Sequence, residues 1–214
     1  MQKYVNLLLP ALMLAAILAL VSCVNSSGGE EQGSSGSEDG MQGMDHGAES
    51  TDYASEMLME NGQYSDERFI DAMIPHHQGA IEMAQVALAN AEHSEILALA
   101  EDVVAAQETE IGQLKSIKQE QFGTSEVSMD MSAEEMEGMG MASDPQELAS
   151  QDPFDKALID NMIPHHESAI AMARVVLEES ENPEIRKIGG AIVDAQEREI
   201  EQMRSWRDEW YPKS

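Results

Sequence analysis

The sequence predicts an all-α fold: a four-helix bundle made of two duplicated antiparallel helical hairpins. Three observations predict it. Apolar residues recur at alternating spacings of four and three, the signature of helices with one buried face. No stretch shows the alternation of a half-buried strand. The chain also repeats itself at an offset of 89 residues: His76-His77 matches His165-His166, Ile70-Asp71 matches Ile159-Asp160, and Met73 and Met83 match Met162 and Met172. Further on, AQETEIGQL (106–114) matches AQEREIEQM (195–203), so the likeness extends over about 50 residues.

The chain divides accordingly into a signal peptide (1–22), an acidic tether (23–52), a first hairpin (53–121), a Met-rich linker (122–152) and a second hairpin (153–214). Lys3 gives the start a positive charge, LLLPALMLAAILAL supplies an apolar run, and LVSC closes it at Cys23. That is the architecture of a secretory signal. Its ending resembles a bacterial lipobox, whose Cys is acylated and becomes the mature N-terminus, placing the protein outside the cytoplasm on a lipid anchor. An ordinary signal peptide or a membrane-spanning anchor are the alternatives, although so short an apolar run is marginal for a span. Cys23 is the single cysteine, so no intramolecular disulfide is available and stability must come from packing. The tether is rich in Ser, Gly and acids and cannot bury a core.

The net charge is −29, with 12 Lys and Arg in 214 residues. Nucleic acid is thereby excluded as a partner, because phosphate binding needs a basic surface. The acidity by itself assigns no function.

Within the first hairpin, the first helix carries its stripe on Ile70, Ile74, His77, Ile81, Ala84, Leu88 and Ala91. The second carries it on Ile96, Leu99, Val103 and Leu114. The break falls at NAEHSE in copy one and at SENPE in copy two, where Pro183 suits the first turn of a helix. Short loops make the neighbours antiparallel, and two hairpins make a bundle. Pro75 and Pro164 interrupt a helical pattern that continues on both sides, which reads as a kinked helix rather than a fresh start. Met57, Met59 and Met203 read as core fillers.

At about 100° per residue, His77 lies at the centre of the apolar stripe, with His76 on its flank toward the helix–helix groove. His166 and His165 repeat the arrangement. The facing helices carry two polar residues on their own stripes, Gln107 and Glu110, repeated as Gln196 and Glu199, whereas Glu108 and Glu197 point away. Folding the first hairpin about residue 93 brings position 76 level with 110; folding the second about 182 brings 165 level with 199. The expectation is a polar layer of up to four His, two Glu and two Gln, bordered by Met. Such a layer is either a hydrogen-bonded pin that fixes helix register or a metal site with Glu110 and Glu199 as ligands and Gln107 and Gln196 behind them. Tandem, duplicated His beside Glu and Met favours metal.

Methionine outside the bundle points to the metal. Met41, Met44 and His46 lie in MQGMDHG, and Met129, Met131, Met136, Met139 and Met141 lie in the linker, interleaved with Gly and acids where there is no core to fill. Thioethers with imidazoles suit Cu(I), and imidazole with carboxylate suits Cu(II). These segments read as accessory capture sites. SAEE (132–135) is a capping-box signature, so the competing reading is a short helix whose Met face covers the bundle.

FIDAMIPHHQGAIEMAQ with AEDVVAAQETEIGQL, and their second copies, resemble the domain-of-unknown-function 305 family over about residues 53–212. The resemblance implies a ferritin-like helical bundle in a secreted bacterial protein. Characterised relatives include a periplasmic copper-binding protein, which implies copper sequestration or delivery here. By position it implies Met73, His76, His77, Met83, Met162, His165, His166 and Met172 as candidate ligands.

The reading is therefore a copper-binding protein rather than an enzyme, with metal ions, a membrane reached through the lipid, and a copper-accepting protein as its partners. Protonation of His is expected to release metal as pH falls toward about 6. A di-iron or di-manganese oxidase would place Glu-x-x-His pairs on two helices, and the chain has none. A metal-free structural or interaction bundle is the remaining alternative.

Overall fold

The computed structural model describes residues 56–127 and 144–212, all within one compact unit. Four long helices dominate: α1 (Asp66–Asn90), α2 (Ser94–Phe122), α4 (Phe154–Glu179) and α5 (Pro183–Trp210), with a single short turn of helix, α3 (Pro145–Ala149), leading into α4. α1 pairs with α2 and α4 with α5, and the two hairpins meet mainly through α1 against α4.

Local chemistry sets the boundaries. Ser65 caps α1 by accepting from the Arg68 N–H, and Asp66 and Glu67 sit in the first turn, where the helix dipole favours acids. Gly123 ends α2 in the left-handed conformation (φ 77°). Asn182 accepts from the N–H groups of Glu184 and Ile185 ahead of Pro183, the first residue of α5. Pro75 and Pro164 lie inside α1 and α4, which continue as α-helix through them.

The hydrophobic core falls into two clusters, one at each end of the bundle. One joins the first half of α1 (Phe69, Ile70, Met73) and the later part of α2 (Leu114) to the second half of α4 (Met172, Val176) and the start of α5 (Ile185, Ile192). The other joins the second half of α1 (Met83, Ala87) and the start of α2 (Ile96, Val103) to the first half of α4 (Leu158, Met162) and the end of α5 (Met203). The 89-residue offset converts one list into the other, so the repeats are related by a pseudo-twofold axis. Met57 and Met203 are buried and Met59 is half-buried. Leu88, expected on the core stripe, is 41 % exposed. It lies in the last turn of α1, where the end core reaches Ala87.

A second departure is a two-residue β-hairpin, β1 (Met59–Glu60) against β2 (Gln63–Tyr64), ahead of α1. Its turn is Asn61-Gly62, both at positive φ (53° and 78°), the pair that two-residue hairpin turns favour. The strands are too short for alternation to show, but the Asn-Gly pair was the readable signal.

Each hairpin is also crossed by an ion pair at equivalent positions: Asp71 with Lys118, and Asp160 with Arg207. Lys118 is fully buried, and Glu67 approaches it at 3.7 Å. Asp160 and Arg207 are each about 30 % exposed, and Lys156 also reaches Asp160. Burial acts to raise the Asp160 carboxyl, but the bonds from Arg207 and Lys156 outweigh it and hold the group below the usual carboxylate value.

Candidate metal centre

Between the two end cores lies a polar layer built on the tandem histidines. All four are fully buried. Neighbouring residues on a helix diverge by about 100°, so the two rings of each pair face different partners. His77 looks across its own hairpin, where its Nε2 donates to Glu110 Oε2 at 2.8 Å. His166 does the same to Glu199 at 2.7 Å. His76 and His165 instead look across the junction of the hairpins, with ring centroids 3.8 Å apart. Position 76 was expected at the groove edge; the second hairpin covers that edge and buries it.

The result is a row of imidazoles spanning the bundle. Ring centroids lie 6.4 Å apart from His77 to His76, 3.8 Å from His76 to His165 and 6.2 Å from His165 to His166. A carboxylate closes each end, and these are its solvent-facing parts: Glu110 is 16 % exposed and Glu199 17 %. Glu108 and Glu197 face solvent.

Burial, then the neighbouring rings of His76, His166 and His77, push the His165 pKa well below the ordinary histidine value. That ring is therefore neutral, with one ring nitrogen carrying a hydrogen and the other a lone pair. Nδ1 of His77 and of His166 are buried without a hydrogen-bond partner, as are the Oε1 atoms of Gln107 and Gln196, while His165 has the His76 backbone as a hydrogen-bonding neighbour. Buried polar atoms ordinarily find partners, so four unsatisfied acceptors in one layer set it apart from the apolar cores on either side.

Thioethers border the layer on both sides. Met73 and Met172 belong to one end core and Met162 and Met83 to the other, all of them 3 % exposed or less. A groove of about 560 Å³ between α2 and α5 reaches the layer from outside, with Glu110 among its walls beside Thr109, Gln113, Lys187 and Ala191.

Among the described residues, no three His, Cys, Asp or Glu side chains already converge as a ligand cage. The imidazoles form a row, with the four thioethers on either side of it. Cys23, Met41, Met44 and His46, and the linker residues Met129, Met131, Met136, Met139 and Met141, lie outside the described residues. No helix among the described residues is long and apolar enough to cross a membrane.

Ser168 was not singled out from the sequence. Its Oγ lies 2.7 Å from His76 Nε2 and donates to the His165 carbonyl at 2.8 Å. The buried pair Asp71–Lys118 also went unread. Both leave a trace in the alignment of the repeats, where Gly79 stands opposite Ser168 and Lys118 opposite Arg207.

Comparison with known proteins follows this geometry. The model of the family described as "Domain of unknown function (DUF305)" matches residues 12–118 and 114–207. The fold is similar to CopM in its Cu(II)-bound form, at 40 % identity and TM-score 0.64, covering 70 % of this chain and 99 % of that one. It is similar to CopM in its Cu(I)-bound form at 39 % identity and TM-score 0.63, with the same coverage. A secreted DUF305 protein from Streptomyces coelicolor matches at 26 % identity and TM-score 0.60, over 68 % of this chain and 93 % of that one. The uncharacterized protein L153 of Acanthamoeba polyphaga mimivirus is 36 % identical over 55 residues, which is 26 % of this chain and 36 % of that protein's length.

Proposed function

The chain belongs to the DUF305 family, and from that premise we propose that it is an extracytoplasmic copper-binding protein, held at the membrane by a lipid on Cys23 and serving copper sequestration or delivery. The observation that carries this reading is the row of four fully buried imidazoles, with Nδ1 of His77 and of His166 left without a hydrogen-bond partner, set between two pairs of buried thioethers. Imidazole and thioether together suit copper better than hard cations, which take oxygen ligands. The likeness to CopM, whose structures include Cu(I)- and Cu(II)-bound forms, supports a copper-related role, and the secreted relative supports a place outside the cytoplasm.

Copper is the cargo here. His76, His77, His165 and His166 hold it, with Met73, Met83, Met162 and Met172 as soft donors. Glu110 and Glu199 act through His77 and His166: each carboxylate accepts the Nε2 hydrogen and thereby turns the Nδ1 lone pair inward. Their hydrogen bonds to His77 and His166 support this positioning role beside the direct ligation expected from the sequence. Gln107 and Gln196 stand behind them. The Met and His residues of 41–47 and 129–141 gather ions from solution and present them to the bundle.

The same hydrogen bonds, complete without an ion, also fit a structural pin. The test is Cu(I) binding to residues 24–214 under a competing chelator, beside a variant with Ala at all four paired His. Loss of the tightly held ion, with helical content kept, is expected. Equal retention by the variant would remove the bundle site.

A further inference from the structure

Four buried acceptors in the histidine layer have nothing to accept from: Nδ1 of His77 and of His166, and the side-chain oxygens Oε1 of Gln107 and Gln196. They fall into two like sets, one per hairpin. Gln107 lies one turn ahead of Glu110 on the inward stripe of α2, and Gln196 lies one turn ahead of Glu199 on α5. Each glutamine is 3 % exposed. Folding each hairpin about its loop puts these amides at about the level of the histidine that faces the same helix. Acceptors cannot satisfy one another, because lone pairs repel. What answers them is a centre of positive charge.

A glutamine kept only to fix helix register would bond a neighbour, and neither oxygen does. An unpaired buried acceptor costs about 1–3 kcal/mol, and the chain carries that cost at Gln107 and again at Gln196. Leucine, of similar size, would continue either stripe without it. The rest of the layer offers imidazole nitrogens and thioether sulfurs. Its carboxylates, Glu110 and Glu199, already accept from His77 and His166. The amide oxygens are thus the uncommitted hard donors. Thioethers select Cu(I), whereas Cu(II) takes nitrogen and oxygen ligands in tetragonal sites, and a weak Met or Gln ligand tunes the potential of a copper ion. We propose that Gln107 and Gln196 set the oxidation-state specificity of the layer: their Oε1 atoms are oxygen donors through which it holds Cu(II) as well as Cu(I). The inference rests on the copper-binding reading and moves these two residues from behind the ligands to among them.

The test is the double variant Gln107→Leu/Gln196→Leu with each single variant beside it, titrated with Cu(I) and with Cu(II) under a chelator suited to each ion. The singles keep the comparison available should the double lose helical content. Cu(II) affinity is expected to fall by about tenfold or more in the double variant, on the scale of changes around a metal ligand, and Cu(I) affinity to stay near wild type. A tenfold loss confined to Cu(II) raises the one-electron potential by about 59 mV, which voltammetry of the loaded protein checks independently. The metal-free variants should melt no lower than wild type, because they lose an unsatisfied acceptor. Equal losses of the two ions, no loss of either, or a lower melting midpoint in all three variants would overturn the proposal. Wild type that holds neither ion would overturn the copper-binding reading and this proposal with it; wild type that holds both, with no split in the variants, would overturn this proposal alone.

Discussion

Lys118, fully buried in the first hairpin, extends its ammonium to the carboxylate of Asp71 on the facing helix. Its counterpart in the second hairpin, Arg207 with Asp160, sits nearer water. Removing one partner of a buried pair leaves an uncompensated charge and costs about 3–5 kcal/mol, whereas a partly exposed pair contributes about 1 kcal/mol or less. Asp71→Asn is therefore expected to lower the urea midpoint far more than Asp160→Asn. Equal shifts would contradict this ranking.

Acidification should weaken the copper-free bundle before ordinary carboxylates titrate. The folded-state pKa of His165 is depressed, so below about 6.5 the unfolded chain takes up a proton that the folded one refuses. Stability present above that pH is lost as pH falls toward the folded value, by about 1.4 kcal/mol per pH unit for this group. Chemical denaturation between pH 7 and 5 checks the slope, and His165→Gln should flatten it. At lower pH the depressed Asp160 adds a further loss, because its contribution is present above the unfolded carboxylate pKa and disappears as pH falls through the folded one.

Access to the layer should be uneven. The groove between α2 and α5 has Glu110 and exposed Ala191 among its walls. Ala191→Trp is expected to slow copper uptake in stopped-flow mixing while leaving the amount bound at equilibrium unchanged. Asp102→Trp, at the equivalent place on the opposite face, should leave the rate near wild type. Uptake unaffected by Ala191→Trp would send the ion by another path.

Deleting 41–47 and 129–141 separates capture from covering. If these segments bind, the copper bound per chain falls, Cu(I) more than Cu(II), and the thermal midpoint of the metal-free bundle stays put. If they pack on the bundle, the midpoint falls instead.

The bundle was legible in the sequence because duplication writes each helical stripe twice and because adjacent His, Pro and Met break the pattern identically in both copies. What a single helix cannot reveal is how far its neighbours extend. The stripe through Leu88 is geometrically sound, yet the core stops one residue short of it. His76 looked marginal against one partner helix and is fully buried against two. The contacts that went unread, Ser168 on His76 and Lys118 on Asp71, depend on which hairpin face meets which, and periodicity carries no information about that. The differences between the copies did carry it, at Gly79 against Ser168 and Lys118 against Arg207.

Each end core draws side chains from both hairpins in similar numbers. A lone hairpin would leave both halves wet, so the ancestral half-length gene product is inferred to have lived as a homodimer, its inner imidazoles meeting across a true twofold. Fusion into one gene released those twin positions from identity, which is how a serine and a glycine came to hold equivalent places. Chains cut between residues 128 and 143 and co-expressed should reassemble into the bundle, and either piece alone should stay unfolded; a stably folded monomeric piece would refute that lineage.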